Sequence, residues 1–412
     1  MALKERLIIN GPRHVDFNLH LGGSKSIANR LGALQVLFGK RIHLQNPGNS
    51  RDVEIMQAHF PLNELEEINA ELAGTAYRFL LAAAIGNAWK GKVTGFSRMQ
   101  ERPIKPLVDA LNHLGAGISY LGKPGYPPVQ LKGDRIQGGR VEIDSGVSSQ
   151  FISALMLLGP FLKKGLHIVL LGKPVSTSYI ELTQKVLQDF GADIKFSENE
   201  IHIQPGISFK PDYEVESDWS SLAYWFSILA CAEEGKLKVS NFYSNSKQAD
   251  AALISLASAL GIRYDFQEKG RLFLSKSGPI QMPSEIDGIN FPDLIMALAP
   301  LASLNPYPVK FTGLDNLNLK ESNRIEALAT ELPKIGAEVE SGGNWLKVFP
   351  SGRFLDRPQI QTYDDHRMAM GFAPLSMKIP SIEIQDPWVV KKSYPDFWKD
   401  LALAGFQLDF TS

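Results

Sequence analysis

Charged side chains gather where this sequence should start its helices. "INFPDLIMALAPLA" sets Asp293 ahead of an apolar run. A carboxylate there can cap the helix, and it can also take a proton from a ligand hydroxyl that reaches it. "NLNLKESNRIEALATEL" carries Asn316, Lys320, Glu321 and Arg324. Lys320 and Arg324 are four residues apart and should share one helix face, where like charges repel and an anion between them would relieve the repulsion. "TYDDHRMAMGF" places Asp364, Asp365, His366 and Arg367 before another apolar run, and "DPWVVKKSYPDFW" adds Lys391 and Lys392. These residue types suit proton transfer beside a held anion.

The first half repeats the arrangement. "HLGGSKSIANRLGAL" joins Gly22 and Gly23 to Lys25, Ser26 and Arg30. A nucleotide phosphate loop would need glycine at Ser24 and at Leu19, so that reading fails on spacing. The physics of an anion site survives, because a helix start offers unpaired N–H groups to an anion. "QERPIKPLVDAL" puts Arg102 before Pro103. "GVSSQFISALML" sets Ser148, Ser149 and Gln150 at a helix start, and "KPVSTSYIELTQ" does so with Ser176, Ser178 and Tyr179. Each serine alone can be a plain N-cap. Several helix starts aimed at one place would make a strong anion site without a basic composition.

That composition is balanced: 43 Lys and Arg against 44 Asp and Glu give a net charge of −1 over 412 residues. No global field attracts nucleic acid. The length calls for two domains. No apolar run reaches the ~20 residues of a membrane span, and "MALKERLIING" has no signal-peptide character. A single cysteine, Cys231, excludes an internal disulfide and a multi-cysteine zinc site, and fits a cytoplasmic protein. No His, Cys and carboxylate spacing reads as a metal site.

The elements that must position these residues recur at long period. Amphipathic helix, glycine and short alternating strand follow one another around Gly115, Gly191, Gly261, Gly336 and Gly405, 69 to 76 residues apart. Glycine there suits a left-handed helix C-cap. The period is too long for a solenoid, so each repeat reads as a small α/β module with its own sheet. Helices are expected to begin near Ile27, Arg51, Thr75, Pro103, Ser148, Tyr179, Trp219, Gln248, Pro292, Lys320, Asp365 and Pro395. About twelve helices make two per module if there are six modules, and six modules in two domains give three per domain. Between Arg51 and Gly74 the chain is too short for a full module.

Taken in order, "GGSKSIANR", "AGTAYR", "QERPI", "SSQF", "VSTSYIELT", "FPDLIMALA", "LKESNRIEALATEL", "TYDDHRMAM" and "KKSYPDFW" resemble the 5-enolpyruvylshikimate-3-phosphate synthase family of enolpyruvyl transferases. The resemblance runs nearly end to end. It implies transfer of the enolpyruvyl group of phosphoenolpyruvate to the 5-hydroxyl of shikimate 3-phosphate, with release of phosphate and no metal or organic cofactor. It implies an α/β fold of two similar domains, each of three βαβαββ units in an inside-out barrel, the first unit shortened. Residues 1–19 and 217–412 would form one domain and 20–216 the other, with the active site in the cleft between them. The partners would be the two small substrates, without nucleic acid or membrane, and the protein a cytoplasmic monomer.

By matching position, Lys25, Ser26, Arg30, Ser148, Ser149, Gln150, Ser176, Tyr179, Asp293, Asn316 and Lys320 resemble the shikimate 3-phosphate contacts. Lys25, Gly74, Arg102, Gln150, Arg324, Arg367 and Lys392 resemble the phosphoenolpyruvate contacts. Asp293, Glu321 and Lys25 match the catalytic positions, with Asp293 as proton acceptor and Glu321 in proton transfer to the methylene. The sequence departs from the family pattern at Gly22 and Phe79, where proline is usual, at Leu72 in place of Asn, and at Asn323 in place of Asp. Those departures and the short first unit leave a catalytically weakened, metabolite-binding homologue as the alternative. A relative acting on UDP-N-acetylglucosamine would use a loop cysteine, and Cys231 lies instead in the apolar "FSILACAEEG".

Overall fold

The computed structural model describes residues 5–411 apart from 147, 173, 175 and 351. The chain divides into two compact units, Met1–Gly22 with Glu216–Ser412, and Gly23–Val215. The crossings expected at 19/20 and 216/217 thus fall at 22/23 and 215/216. Each unit has its own apolar core, one built around Trp219, Trp225 and Phe311, the other around Tyr77, Phe151 and Phe190.

The described residues form six sheets, three in each unit, five of them four-stranded. The sheet of Glu67–Asn69, Lys90–Thr94, Val129–Lys132 and Ile118–Tyr120, in spatial order, sets the pattern. Its first two strands are parallel and its other neighbours antiparallel. The same pattern recurs in Glu285–Asp287, Val309–Thr312, Trp345–Phe349 and Glu338–Gly342. It recurs again in Gly139–Asp144, Leu166–Leu171, Glu200–Ile203 and Ile194–Ser197. Parallel neighbours need a crossover helix and antiparallel ones only a turn, which is why a helix separates the first pair and a hairpin closes the unit.

Strands from the start of the chain complete two sheets far along it. His14–Leu19 runs parallel to Glu234–Val239, and Arg6–Asn10 lies between Ile382–Gln385 and Gln407–Thr411. The sixth sheet has only two described strands, His43–Gln45 and Asp212–Glu214. It belongs to the unit where the sequence is short of a full module.

The described α-helices are α1 (Lys25–Phe38), α2 (Arg51–Ala58), α3 (Gly74–Gly86), α4 (Ser97–Gln100), α5 (Lys105–His113) and α6 (Ser149–Leu158), then α7 (Thr177–Asp189), α8 (Trp219–Cys231), α9 (Ile295–Ala302), α10 (Arg324–Glu331), α11 (His366–Phe372) and α12 (Phe397–Leu403). The five module glycines all have positive φ, from 68° at Gly261 to 100° at Gly405. Only glycine adopts that conformation without a Cβ penalty.

Two expectations need correction. The segment after Gln248 is a 3₁₀ helix, Ala249–Leu256, rather than an α-helix. Its buried positions, Asp250 and Leu253, are three residues apart, the 3₁₀ period. Helix α10 starts at Arg324, not Lys320, because Asn323 caps it by accepting a hydrogen bond from the Glu326 N–H. Lys320 stands before it in extended backbone, so Lys320 and Arg324 do not share a helix face. Among the described residues no helix is long and apolar enough to cross a membrane.

Candidate active site

In the unit Gly23–Val215, the start of α1 is made possible by Gly23. A Cβ there would lie 1.8 Å from the carbonyl oxygen of Asn46. Lys25 follows as the first helical residue, its Nζ 3.7 Å from Asp52 Oδ2. Arg30, one turn on, is buried. It donates from Nε to Thr183 Oγ1 at 2.8 Å, from Nη1 to the Ser26 carbonyl at 2.7 Å and from Nη2 to the Tyr179 carbonyl at 2.8 Å. Those partners are neutral oxygens, and burial pulls the guanidinium pKa down to about 9. Arg30 thereby ties Ser26 and Tyr179 together across α1 and α7. Its guanidinium also lies 5.4 Å from the Phe79 ring centre, so the aromatic side chain packs under this arginine. Leu72 is 45% exposed.

Ser148 caps α6 by accepting from the Gln150 N–H, and Ser149 is the first residue of that helix. Ser176 precedes α7 with φ of 51°, a left-handed conformation uncommon for serine and found most often where the surroundings enforce it. At the start of α3, a Cβ on Gly74 would be 2.3 Å from Arg102 Nη1 and 2.6 Å from Arg78 Nη1. Two guanidinium groups therefore flank one helix N-terminus. Arg78 is buried and donates to the Gly74 carbonyl, to Gln150 Oε1 at 2.9 Å and to the Pro103 carbonyl. Gln150 in turn donates to Thr75 Oγ1 at 3.0 Å. Burial, reinforced by the charge of Arg102, holds the Arg78 pKa well below its ordinary value. A bound anion would relieve both.

In the other unit, Asp293 does not cap α9, which begins at Ile295. Its carboxylate instead accepts from Arg324 Nη1 at 2.8 Å and from Arg367 Nη2 at 2.9 Å. Arg324 is 1% exposed and also donates to Glu321 at 3.1 Å and to Asp365 Oδ2 at 2.7 Å. Lys392 lies 3.0 Å from Glu321. Asp365 caps α11 through the Arg367 N–H and accepts from Ser322. Tyr224 accepts from Arg367 Nη1 at 3.2 Å, and burial pushes its phenol up to about 12 against the opposing pull of Arg367. Burial alone would raise the Asp293 pKa, but Arg367, Lys320 and Arg324 hold it well below the carboxylate range. Burial likewise lowers the Lys320 ammonium, with Asp293 opposing it. Asn316 lies half-buried before the turn Leu317–Leu319 that leads to Lys320.

The unit Gly23–Val215 thus groups Arg30 with Ser26 and Tyr179, and Gly74 with Arg102 and Gln150 around Arg78, while the other unit joins Asp293, Glu321, Arg324, Arg367 and Lys392. Arg78, Asp365 and Tyr224 take part in these contacts and are absent from the set assigned by motif. Arg78 stands four residues after Gly74, which places both on one face of α3. Asp365 is visible in the sequence as an acid at a helix start. Nothing local distinguishes Tyr224 inside the apolar α8. Cys231 is buried at the end of that helix, its thiol pushed up to about 12 by burial, which removes it from nucleophilic chemistry.

The sequence pattern of the EPSP synthase (3-phosphoshikimate 1-carboxyvinyltransferase) family matches residues 57–401. A protein of Bacteroides fragilis named 3-phosphoshikimate 1-carboxyvinyltransferase is 37% identical over 405 residues, covering 97% of this chain and 98% of that one. One of the same name from Idiomarina loihiensis is 34% identical over 421 residues, covering 95% and 96%. The solved EPSP synthase of Acinetobacter baumannii superposes with a TM-score of 0.80 over 99% of this chain and all of that one, at 20% identity, and so speaks to the fold. Matched in sequence along nearly its whole length, the chain belongs to the EPSP synthase family.

Proposed function

We propose that the residue sets of the two units act together on one pair of substrates in the reaction of this family. The enzyme transfers the enolpyruvyl group of phosphoenolpyruvate to the 5-hydroxyl of shikimate 3-phosphate and releases phosphate. In this reading Asp293 accepts the hydroxyl proton while Glu321 supplies a proton to C3 of phosphoenolpyruvate. C2 then becomes electrophilic, and the sugar-like oxygen bonds to it to give a tetrahedral intermediate. Loss of a proton from C3 and of phosphate from C2 restores the double bond and completes the balance.

The observation that carries this reading is that Asp293 and Glu321 are held by one guanidinium, that of Arg324. An acid and a base fixed to a common cation keep their separation, and the cation also suits the anionic substrate. Arg102, Arg324, Arg367 and Lys392, with Gly74, Gln150 and Lys25, would hold phosphoenolpyruvate. Lys25, Ser26, Arg30, Ser148, Ser149, Gln150, Ser176, Tyr179, Asn316 and Lys320 would hold shikimate 3-phosphate. The same proposal has the protein working as a cytoplasmic monomer on free metabolites; the single cysteine fits a reducing compartment, and the balanced charge offers nucleic acid no field.

The test is phosphate release with both substrates present and with each alone. Release only with both, alongside appearance of the enol ether product, is the expected result. Release from phosphoenolpyruvate alone, or none at all, would refute the assignment.

A further inference from the structure

The outer face of one sheet carries a cluster with no part in the chemistry above. His167 lies on the strand Leu166–Leu171, and Glu200 and His202 lie on Glu200–Ile203. The two strands are antiparallel with His202 directly opposite His167. Side chains alternate across a sheet, so Ile168 and Ile201 enter the core while His167, Glu200 and His202 share the outer, half-exposed face. The imidazole rings stack with centres 4.1 Å apart and planes 23° apart. Both Nε2 atoms then reach the same carboxylate oxygen, Glu200 Oε2, each at 3.2 Å.

We propose that His167, His202 and Glu200 form a site for a borderline divalent cation of the zinc class. The donor set decides the class of metal. Two imidazole nitrogens and one carboxylate oxygen suit zinc, cobalt or nickel, whereas calcium and magnesium prefer oxygen ligands alone. The spacing agrees. Bonds of about 2.0–2.1 Å in a tetrahedron put neighbouring ligand atoms about 3.3 Å apart, close to the 3.2 Å found for both His–Glu pairs. All three ligand atoms lie within 4.8 Å of one another.

A further observation points the same way. His167 Nε2 is shut off from solvent and makes no well-directed hydrogen bond, in spite of its closeness to Glu200. Buried polar atoms ordinarily have partners, and a cation at the meeting point of the three groups would supply one. The neighbouring cations on this face are Arg140, opposite His167 and paired with Glu142 at 2.9 Å, and Lys195, opposite His202. The motif is invisible in the sequence because its ligands come from two strands joined through a helix and a hairpin. Bound there, the cation would clamp those strands from outside, and water would complete its shell.

The experiment uses the full chain without any histidine tag, stripped with a chelator and dialysed against micromolar zinc. Metal content is then read by mass spectrometry. One zinc per chain is expected, with a rise in melting temperature, and with cobalt the visible absorption of a tetrahedral site. His202→Gln and Glu200→Gln should each lose the ion and the thermal shift while keeping full transferase activity, which shows that they fold. Calcium should give neither effect. Sub-stoichiometric zinc in the parent chain, or equal zinc in the His202→Gln variant, would overturn the proposal.

Discussion

Asp293 is bonded to Arg324 at 2.8 Å, so the proposed base rests on the same guanidinium that is to hold an anionic substrate. A carboxylate stabilised in this way is ionised but weakly basic. Substrate anions that draw Arg324 and Arg367 toward themselves would return basicity to Asp293 at the moment it is needed. Asp293→Asn keeps the size and hydrogen-bonding capacity but cannot accept the proton. We expect kcat to fall by about 10²–10⁴-fold, with shikimate 3-phosphate binding retained in calorimetry. A kcat within a few-fold of the parent would remove Asp293 from the role.

Arg324 should matter to folding as well as to catalysis. Its guanidinium serves Asp293, Glu321 and Asp365, and it is fully enclosed. Arg324→Leu would leave carboxylates buried without their counter-charge, a change that costs about 3–5 kcal/mol. Urea unfolding should show that loss. Arg324→Lys restores a charge but not the fork, and should fall between parent and Leu variant in stability while remaining inactive. Equal stability of the three proteins would mean that the carboxylates find other partners.

Gly74 is a place where a single methyl group should be felt by one substrate more than by the other. In Gly74→Ala the new Cβ meets Arg102 Nη1 and Arg78 Nη1. Arg78 is held by its hydrogen bonds to Gly74, Gln150 and Pro103, so Arg102, the nearer of the two, moves most. The expected result is a rise in KM for phosphoenolpyruvate of roughly tenfold, equivalent to about 1.4 kcal/mol. The melting temperature should also fall, because Arg78 Nη1 would lie 2.6 Å from the new Cβ and the buried guanidinium must give some of its hydrogen bonds, whereas KM for shikimate 3-phosphate should rise less than KM for phosphoenolpyruvate. An unchanged phosphoenolpyruvate KM would separate Gly74 from that site.

Asp250 gives the fold a pH dependence of its own. It is buried and hydrogen-bonded to Ser220, and burial with the nearby charge of Asp293 pushes its carboxyl up to about 7. Arg367 opposes that rise and Asp218 adds to it. Because the folded pKa exceeds the unfolded one, the unfolded chain binds fewer protons between about pH 4 and pH 7, and stability falls as pH rises through that window. Asp250→Asn removes the effect. Denaturation at pH 5 and at pH 8 should show the variant gaining on the parent at the higher pH, by up to about 1.4 kcal/mol for each pH unit crossed inside that window. Parallel behaviour at both values would show Asp250 to be ionised in the folded protein throughout.

Local chemistry was legible in the amino-acid order. The glycines at 115, 191, 261, 336 and 405 could be assigned to left-handed caps because that conformation is a property of one residue and its neighbours, and each has positive φ. Ser148 and Asp365 could be read as caps for the same reason. The near-constant spacing of those caps showed a repeat, and the number of helices then suggested six modules.

Partnership was decided only by the tertiary structure. Asp293 faces Arg324 and Arg367, 31 and 74 positions further on, and no local rule selects those arginines over the others. Lys320 belonged to a helix by periodicity, yet the cap at Asn323 starts the helix later and leaves it outside. Arg6–Asn10 pairs with Ile382–Gln385 and Gln407–Thr411, partners nearly the whole chain away that no local signal selects. A helix start is written in a few adjacent residues, whereas a buried charge takes its partners from whatever the packed core brings within about 3 Å.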